Sequence, residues 1–249
     1  MPRFTISPDR ISGDRVAFDA DETHHLARVL RLHPGDVVTA ADGRGHAWQV
    51  RLLTLCESAT GAIVGAAELA PESALEIALV QAVPKGDRLE TIVRATTELG
   101  VKRILPALTA RTIVRLDAPR WRERARRWQR VAREAAKQCG RATVPLVEPP
   151  RPLAEWLAED EPTDLRLCLW EVDGAPLRDV IERCAPRPRS VRVIVGPEGG
   201  LTRDEVARAG DAGYVTVTLG RRILRTDTAG VSIVALLQWA LGDLGGQPR

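Results

Sequence analysis

The chain has 249 residues, 44% of them apolar and 28% charged, with a formal net charge of +3. That length can bury a core in one or two domains, and the composition excludes a disordered or fibrous chain. No apolar run is long enough to cross a membrane, the four cysteines show no metal-type pairing, and the molecule as a whole is not strongly basic.

Residues 1–70 read as a small β-rich domain. Val37-Val38-Thr39 and Trp48-Gln49-Val50-Arg51-Leu52 are strand-like and are joined across Asp42-Gly43-Arg44-Gly45, and Ile63 with Val64 marks another strand. Asp21 to Leu30 reads as one short helix with Leu26, Val29 and Leu30 on its apolar face. Seven arginines stand against nine acids in residues 1–70, so the domain is not basic overall. Arg28 and Arg31, on one helical face, are its local basic feature. Leu69 to Ala74 reads as a linker.

From residue 75 the pattern alternates. Strands are expected over Ile77–Val83, Ile104–Leu108 and Leu165–Trp170, and helices over Asp87–Leu99, Arg120–Gln138 and Leu177–Cys184. A final apolar helix is expected from about Val231 to Leu241, and the Gly-Gly-Gln-Pro-Arg end reads as a frayed tail. Alternating strands and helices predict an α/β domain with a mostly parallel sheet over 75–249. The final helix is apolar on more than one face, which buries it either in a core or at an interface.

The segment Lys102–Arg141 carries thirteen basic and three acidic residues. Trp121, Ala125, Trp128, Ala132, Ala135 and Cys139 recur at helical spacing and form an apolar stripe, with arginines over much of the remaining surface. Two readings stand: a solvated charged face, or a patch that attracts a polyanion such as RNA phosphate.

Two glycine-bearing loops each follow a short apolar run. Gly196-Pro197-Glu198-Gly199-Gly200 follows Val191 to Val195, and the segment Gly220–Thr228 follows Val215, Val217 and Leu219. Apolar runs bounded by glycine read as buried parallel strands, and ligands bind at the carboxyl ends of such strands. Thr202 with Glu205 is a capping box, so a helix starts after the first loop. The alternative is a pair of tight turns. The sequence contains neither G-x-G-x-x-G nor a P-loop, which disfavours a Rossmann dehydrogenase and a P-loop NTPase. The four histidines have no metal spacing, and no metal is expected.

These loops, with Leu219-Gly220-x-x-Ile223-Leu224-Arg225-Thr226-Asp227-Thr228-Ala229, resemble the bacterial methyltransferases that modify N3 of a uridine in 16S ribosomal RNA, a family of the knotted SPOUT superfamily. Further matching pieces are Pro2-Arg3-Phe4, His25-x-x-Arg28-Val29-Leu30-Arg31, Lys85-Gly86-Asp87-Arg88-x-Glu90, Thr97-Glu98-Leu99-Gly100-Val101 and Gln138-Cys139-Gly140-Arg141. The resemblance covers nearly the whole chain. Asp227 departs from it, because the family more often has glutamate there.

The resemblance implies a PUA-like RNA-binding barrel over 1–70 and a SPOUT methyltransferase domain with a trefoil knot over 75–249. It implies S-adenosylmethionine as cofactor, held by Leu169, Gly196, Pro197, Gly199, Gly200, Leu219, Gly220, Ile223, Leu224, Thr228 and Ala229. For catalysis Arg225 is the first candidate, because a guanidinium would stabilise the anionic uracil that forms as N3 loses its proton; the alternative is a loop arginine paired to Asp227. Glu198 and Asp227 are the candidate bases, with the alternative that either only orients loop amides. The expected RNA contacts are Arg3, Arg28, Arg31, Lys85, Arg88 and Arg141. The expected partners are 16S ribosomal RNA within the 30S subunit and a second copy of the chain. The expected location is the cytoplasm, with reduced thiols and no membrane contact. Two other readings stay open: a related RNA methyltransferase acting on, for example, a ribose 2′-hydroxyl, and a non-catalytic RNA-binding assembly factor.

Overall fold

A computed structural model of the chain describes residues 2–56, 58–68 and 71–246. Leu69 and Ala70 of the expected linker, and Gln247 to Arg249 of the expected tail, lie outside the described residues. The chain divides into two compact units, Met1–Glu72 with Arg133–Val144, and Ser73–Ala132 with Pro145–Arg249. Residues 133–144, expected within the second domain, thus cluster with the first unit.

In the first unit β1 (Arg3–Thr5), β2 (Ile11–Ser12), β3 (Arg15–Ala17), β4 (Val37–Ala41), β5 (Ala47–Leu55) and β6 (Ala59–Ala66) form one sheet in the order β1-β4-β5-β6-β3-β2. All its pairings are antiparallel except β1 with β4. Phe4, Ile6, Phe18, Leu26, Val38, Val50 and Leu52 fill its core, with the rings of Phe4 and Phe18 edge to face at 5.9 Å. The single helix expected over residues 21–30 is α1 (Ala20–His24) followed by a π-helical turn, His25–Val29, in which Leu30 N–H donates to the His25 carbonyl five residues back. The wider turn shifts the helical phase of the residues beyond Leu26. Leu26 stays buried, but Val29 and Leu30 are exposed, contrary to the apolar face expected from a 3.6-residue period. Arg31 lies beyond the turn at φ +53°, so it does not share a helical face with Arg28.

In the second unit β7 (Glu76–Ala82), β8 (Arg103–Leu108), β9 (Leu146–Val147), β10 (Arg151–Pro152), β11 (Leu165–Leu169), β12 (Ala175–Pro176), β13 (Ser190–Val195) and β14 (Val215–Thr218) form a sheet in the order β10-β8-β7-β13-β11-β14-β12, with β9 also on β8. Every pairing in it is parallel. Its helices are α2 (Arg88–Glu98), α4 (Leu153–Leu157), α5 (Leu177–Glu182), α6 (Arg203–Asp211) and α7 (Thr226–Leu241). Central strands β7 and β13 are almost wholly buried, which is why they read as continuous apolar runs rather than as alternation.

The long helix α3 (Ala118–Cys139) begins in the second unit and ends in the first. Trp121, Ala125, Trp128, Ala132 and Ala135 are buried as the stripe predicts, but Cys139, at the last helical position, is exposed. The final helix starts five residues earlier than expected. Thr226 to Gly230, which read as loop, form its first turns. Its Ile233, Val234 and Leu237 are buried and α2 packs against it, while Leu236 (41%) and Trp239 (67%) remain exposed. Among the described residues no helix is long and apolar enough to cross a membrane.

Candidate cofactor and active site

Strands β11, β13 and β14 lie side by side and parallel, so their carboxyl ends open on the same edge of the sheet. Three segments leave that edge: Trp170-Glu171 after β11, Gly196 to Gly200 after β13, and Leu219 to Arg225 after β14. Together with the start of α7 they enclose a cavity of about 230 Å³. Leu169, Val195, Leu201, Val217, Leu219, Leu224 and Ala229 give it apolar walls, and Glu171, Glu198, Arg222 and Arg225 add charge.

The first loop is held from several sides. Thr202 caps α6, accepting the Glu205 N–H (3.2 Å), while the Glu205 carboxylate accepts the Thr202 N–H (2.8 Å). That carboxylate also accepts the Ala110 N–H (2.7 Å). Arg111 donates from Nη1 to the carbonyls of Gly199 (2.6 Å) and Leu201 (3.2 Å). Glu198 Oε1 accepts the Lys85 N–H (3.0 Å) and Arg88 Nη1 (3.1 Å). Gly200 sits at φ +70°, a conformation glycine adopts without strain, with Glu171 close by: a Cβ there would lie 3.3 Å from Oε1.

Of the expected cofactor residues, Leu169, Gly196, Pro197, Gly200, Leu219, Ile223, Leu224 and Ala229 line the cavity; Gly199, Gly220 and Thr228 do not. Gly199 turns toward Arg111 instead, where an added Cβ would make ordinary contacts at 3.4–3.5 Å with its methylenes. Ile223 is 83% exposed, so it forms rim rather than wall. Arg225 lines the cavity at the N-cap position of α7, and its guanidinium makes no ion pair among the described residues. Asp227 does not line the cavity; its Oδ1 accepts the Thr228 N–H (3.0 Å) in the first turn of the helix, where a carboxylate complements the helix dipole. Glu198 lines it, tethered by Lys85 and Arg88.

Sequence reasoning missed Trp170, Glu171, Val195, Leu201, Val217, Thr218, Arg222 and Thr226 as lining residues. Trp170 and Glu171 carried a signal, since they follow a strand as the two glycine loops do. Cys168 on β11 is buried, and burial first, then the charges of Glu171 and Glu205, push its thiol to about 12. It is a neutral packing residue, not a nucleophile.

The expected RNA-contacting residues differ in what their side chains do. Arg28 and Arg31 are exposed, as is Lys85. Arg88 is engaged with Glu198. Arg3 donates to the Gly140 carbonyl within the first unit. Arg141 is paired with Glu72 at 2.8 Å and its side chain is only 12% exposed, contrary to a role as an open phosphate contact. Burial alone would raise the Glu72 carboxyl, but hydrogen bonds from Arg141 and Thr143 and the Arg141 charge hold it below the usual range.

The family model described as an RNA methyltransferase domain matches residues 71–238, and one described as an RNA methyltransferase PUA domain matches residues 18–55. Among curated proteins, the chain is similar to "Ribosomal RNA small subunit methyltransferase E" of Synechocystis, 33% identical over 95% of this chain and 76% of the relative. Its likeness to the protein of that name in Bacillus subtilis is 30% over 91% of this chain and 90% of the relative. Among solved structures, ribosomal RNA small subunit methyltransferase E from Neisseria gonorrhoeae, bound to S-adenosyl methionine, aligns with a TM-score of 0.87 at 35% identity, covering 98% of this chain and 99% of that one.

Proposed function

This chain belongs to the RNA methyltransferase family of those relatives, and we propose that it methylates N3 of a uridine in 16S ribosomal RNA, using S-adenosylmethionine. The observation that carries the reading is the cavity at the carboxyl ends of β11, β13 and β14, with its apolar walls and charged rim. The residues present fit that cofactor. Leu169, Leu219, Leu224 and Ala229 suit the adenine, and the carboxylates of Glu171 and Glu198 suit the positive charge of the rest. When bound, the cofactor supplies a methyl group already activated on a sulfonium, so no metal is needed.

The remaining work belongs to the chain. It must orient the uracil ring for in-line attack, and holding reactants in such a geometry supplies much of the rate. It must also accept the N3 proton, because neutral uracil is a poor nucleophile there. Of the two candidate carboxylates, Glu198 is on the cavity wall and Asp227 is not, so Glu198 is assigned the proton. The flanking carbonyl oxygens gain negative charge as the proton leaves, and Arg225, unpaired at the rim, is assigned to stabilise it.

The target base must be unpaired or flipped from its stack to enter such a cavity. Contacts with the RNA backbone position it without reading its sequence. Arg28, Arg31 and Lys85 are exposed for that role, as are Arg122, Arg126 and Arg130 of α3. The 30S subunit, in the cytoplasm, is the substrate proposed. The family match at 71–238 supports a methyltransferase domain over 75–249, for which a trefoil knot is proposed from the resemblance of its two loops to the knotted family. The curled sheet of the first unit and the match at 18–55 support a PUA-like module over 1–70. Exposed Leu236 and Trp239 on α7 support a homodimer.

Incubating the protein with 30S subunits and methyl-deuterated cofactor, followed by nucleoside mass spectrometry, tests the reading. Deuterated 3-methyluridine is the expected product. Label in a ribose 2′-O-methyl nucleoside, or no label, would overturn it.

A further inference from the structure

We infer that Gln81 is a positioning residue for methyl transfer, acting through Thr226 to fix the spacing of the two loops that form the cavity. The inference rests on the reading of that cavity as the S-adenosylmethionine site. Gln81 lies near the carboxyl end of β7 and is 0% exposed. Its Nε2 is 3.0 Å from Thr226 Oγ1 and 3.1 Å from its neighbour Ala82's carbonyl oxygen. Thr226 Oγ1 is in turn 2.6 Å from the Gly196 carbonyl oxygen.

The direction of this chain of bonds is forced. A carbonyl oxygen only accepts, so the single hydroxyl proton of Thr226 goes to Gly196. The hydroxyl oxygen is then an acceptor toward Gln81, which must present its NH₂. Ala82 imposes the same orientation, since its carbonyl too can only accept. The amide cannot flip without losing both donated bonds.

That orientation has a cost. It leaves Gln81 Oε1 buried with no hydrogen-bond partner among the described residues. The oxygen faces Gly230 of α7, where an added Cβ would come within 2.5 Å of it. A buried, unsatisfied amide oxygen opposes folding, and an apolar side chain of similar size would avoid the loss. Among the described residues the amide's one side-chain partner, Thr226, links β7 to the start of α7 and, through it, to the first loop. Both linked positions, Gly196 and Thr226, are cavity walls. Their spacing sets where a bound cofactor rests, and a misplacement of about an ångström can cost on the order of 10²-fold in rate.

The test is a double-mutant cycle. Gln81→Leu keeps the bulk and removes the donor; Thr226→Val removes the hydroxyl; Thr226→Ser retains it. S-adenosylmethionine affinity by calorimetry and single-turnover rate at saturating cofactor and 30S subunits are measured for each. Gln81→Leu and Thr226→Val are each expected to weaken binding about tenfold, the size of one lost hydrogen bond, and to slow the chemical step. The double variant is expected to be no worse than the poorer single one, because both break the same relay, while Thr226→Ser, which keeps the hydroxyl, is expected to exceed Thr226→Val in both affinity and rate. If Gln81→Leu does not fold, Gln81→Met takes its place. Wild-type affinity and rate in a folded Gln81 variant, or additive losses in the double variant, would show that Gln81 only packs, and would overturn the inference. Wild-type protein that binds no cofactor would instead overturn the reading of the cavity, and this inference with it.

Discussion

Arg225 stands where the second loop becomes a helix, with extended backbone at φ −66° and ψ 154° and no side-chain capping bond. Its charge is uncompensated among the described residues, and it is on the cavity rim. A group so placed acts most strongly when charge appears in the transition state. Arg225→Ala is expected to lower the single-turnover rate on 30S subunits by roughly 10²–10³, the usual cost of removing one such donor, with little change in cofactor affinity. Arg225→Lys should rescue only part, because an ammonium lacks the planar fork that spans two acceptors. Loss of cofactor binding with an unchanged chemical rate would instead place Arg225 in the cofactor loop. At this scale the sequence placed Gly196, Gly200, Leu224 and Arg225 at the cavity, because all follow strands whose carboxyl ends open on it. It was silent on Gln81, whose meaning lies in a contact with Thr226 across 145 residues. Nothing local in the sequence announces the partner of Arg141 at Glu72 either.

The elements show why some boundaries are readable and others are not. β7, β8, β11 and β13 were visible as apolar runs because they are buried along most of their length, whereas β14 buries only Val217 and showed as alternation. β9, β10 and β12 are two residues each, too short to show any period. The start of α7 was hidden because Thr-Asp-Thr-Ala-Gly resembles a turn, while tertiary bonds hold it helical, among them Thr226 to Gly196. The apolar stripe of α3 was readable in full except at Cys139, where the helix ends. On the same helix Arg122, Arg126 and Arg130 are exposed at i, i+4 spacing, and none has an ion pair among the described residues. Arg127, by contrast, is held by Glu90 at 2.7 Å. Replacing Arg122, Arg126 and Arg130 together by alanine should weaken RNA binding uniformly across sequences. It should also reduce the slope of log affinity against log salt by about 2–3, since each lost phosphate contact removes roughly 0.7–0.9. An unchanged slope in a binding titration would return these arginines to the role of a solvated face.

For the whole molecule, alternation of strands and helices was enough to announce a parallel-sheet domain after a small β-rich one. The affiliation of residues 133–144 with the first unit was not legible, because α3 is periodic through Arg133 without interruption. The all-round apolar character of α7 left its second face unassigned. The structure buries Ile233, Val234 and Leu237 and leaves Leu236 and Trp239 on the surface. Light scattering at micromolar concentration is expected to give about twice the 27.2 kDa chain mass, and Trp239→Glu to shift it toward the monomer. A monomer mass for the unaltered protein would refute the dimer.

Methyl transfer by this chain requires that the cavity be the cofactor site, and titration calorimetry with S-adenosylmethionine tests that most directly. A Cβ at Gly196 would lie 3.1 Å from the Leu201 backbone nitrogen, so Gly196→Val must displace the first loop. One cofactor is expected to bind per wild-type chain. Binding should be retained in Gly199→Ala, whose added Cβ meets only Arg111 methylenes, and lost in a folded Gly196→Val protein. No binding by the wild-type chain, or full affinity in folded Gly196→Val, would contradict the assignment of the cavity.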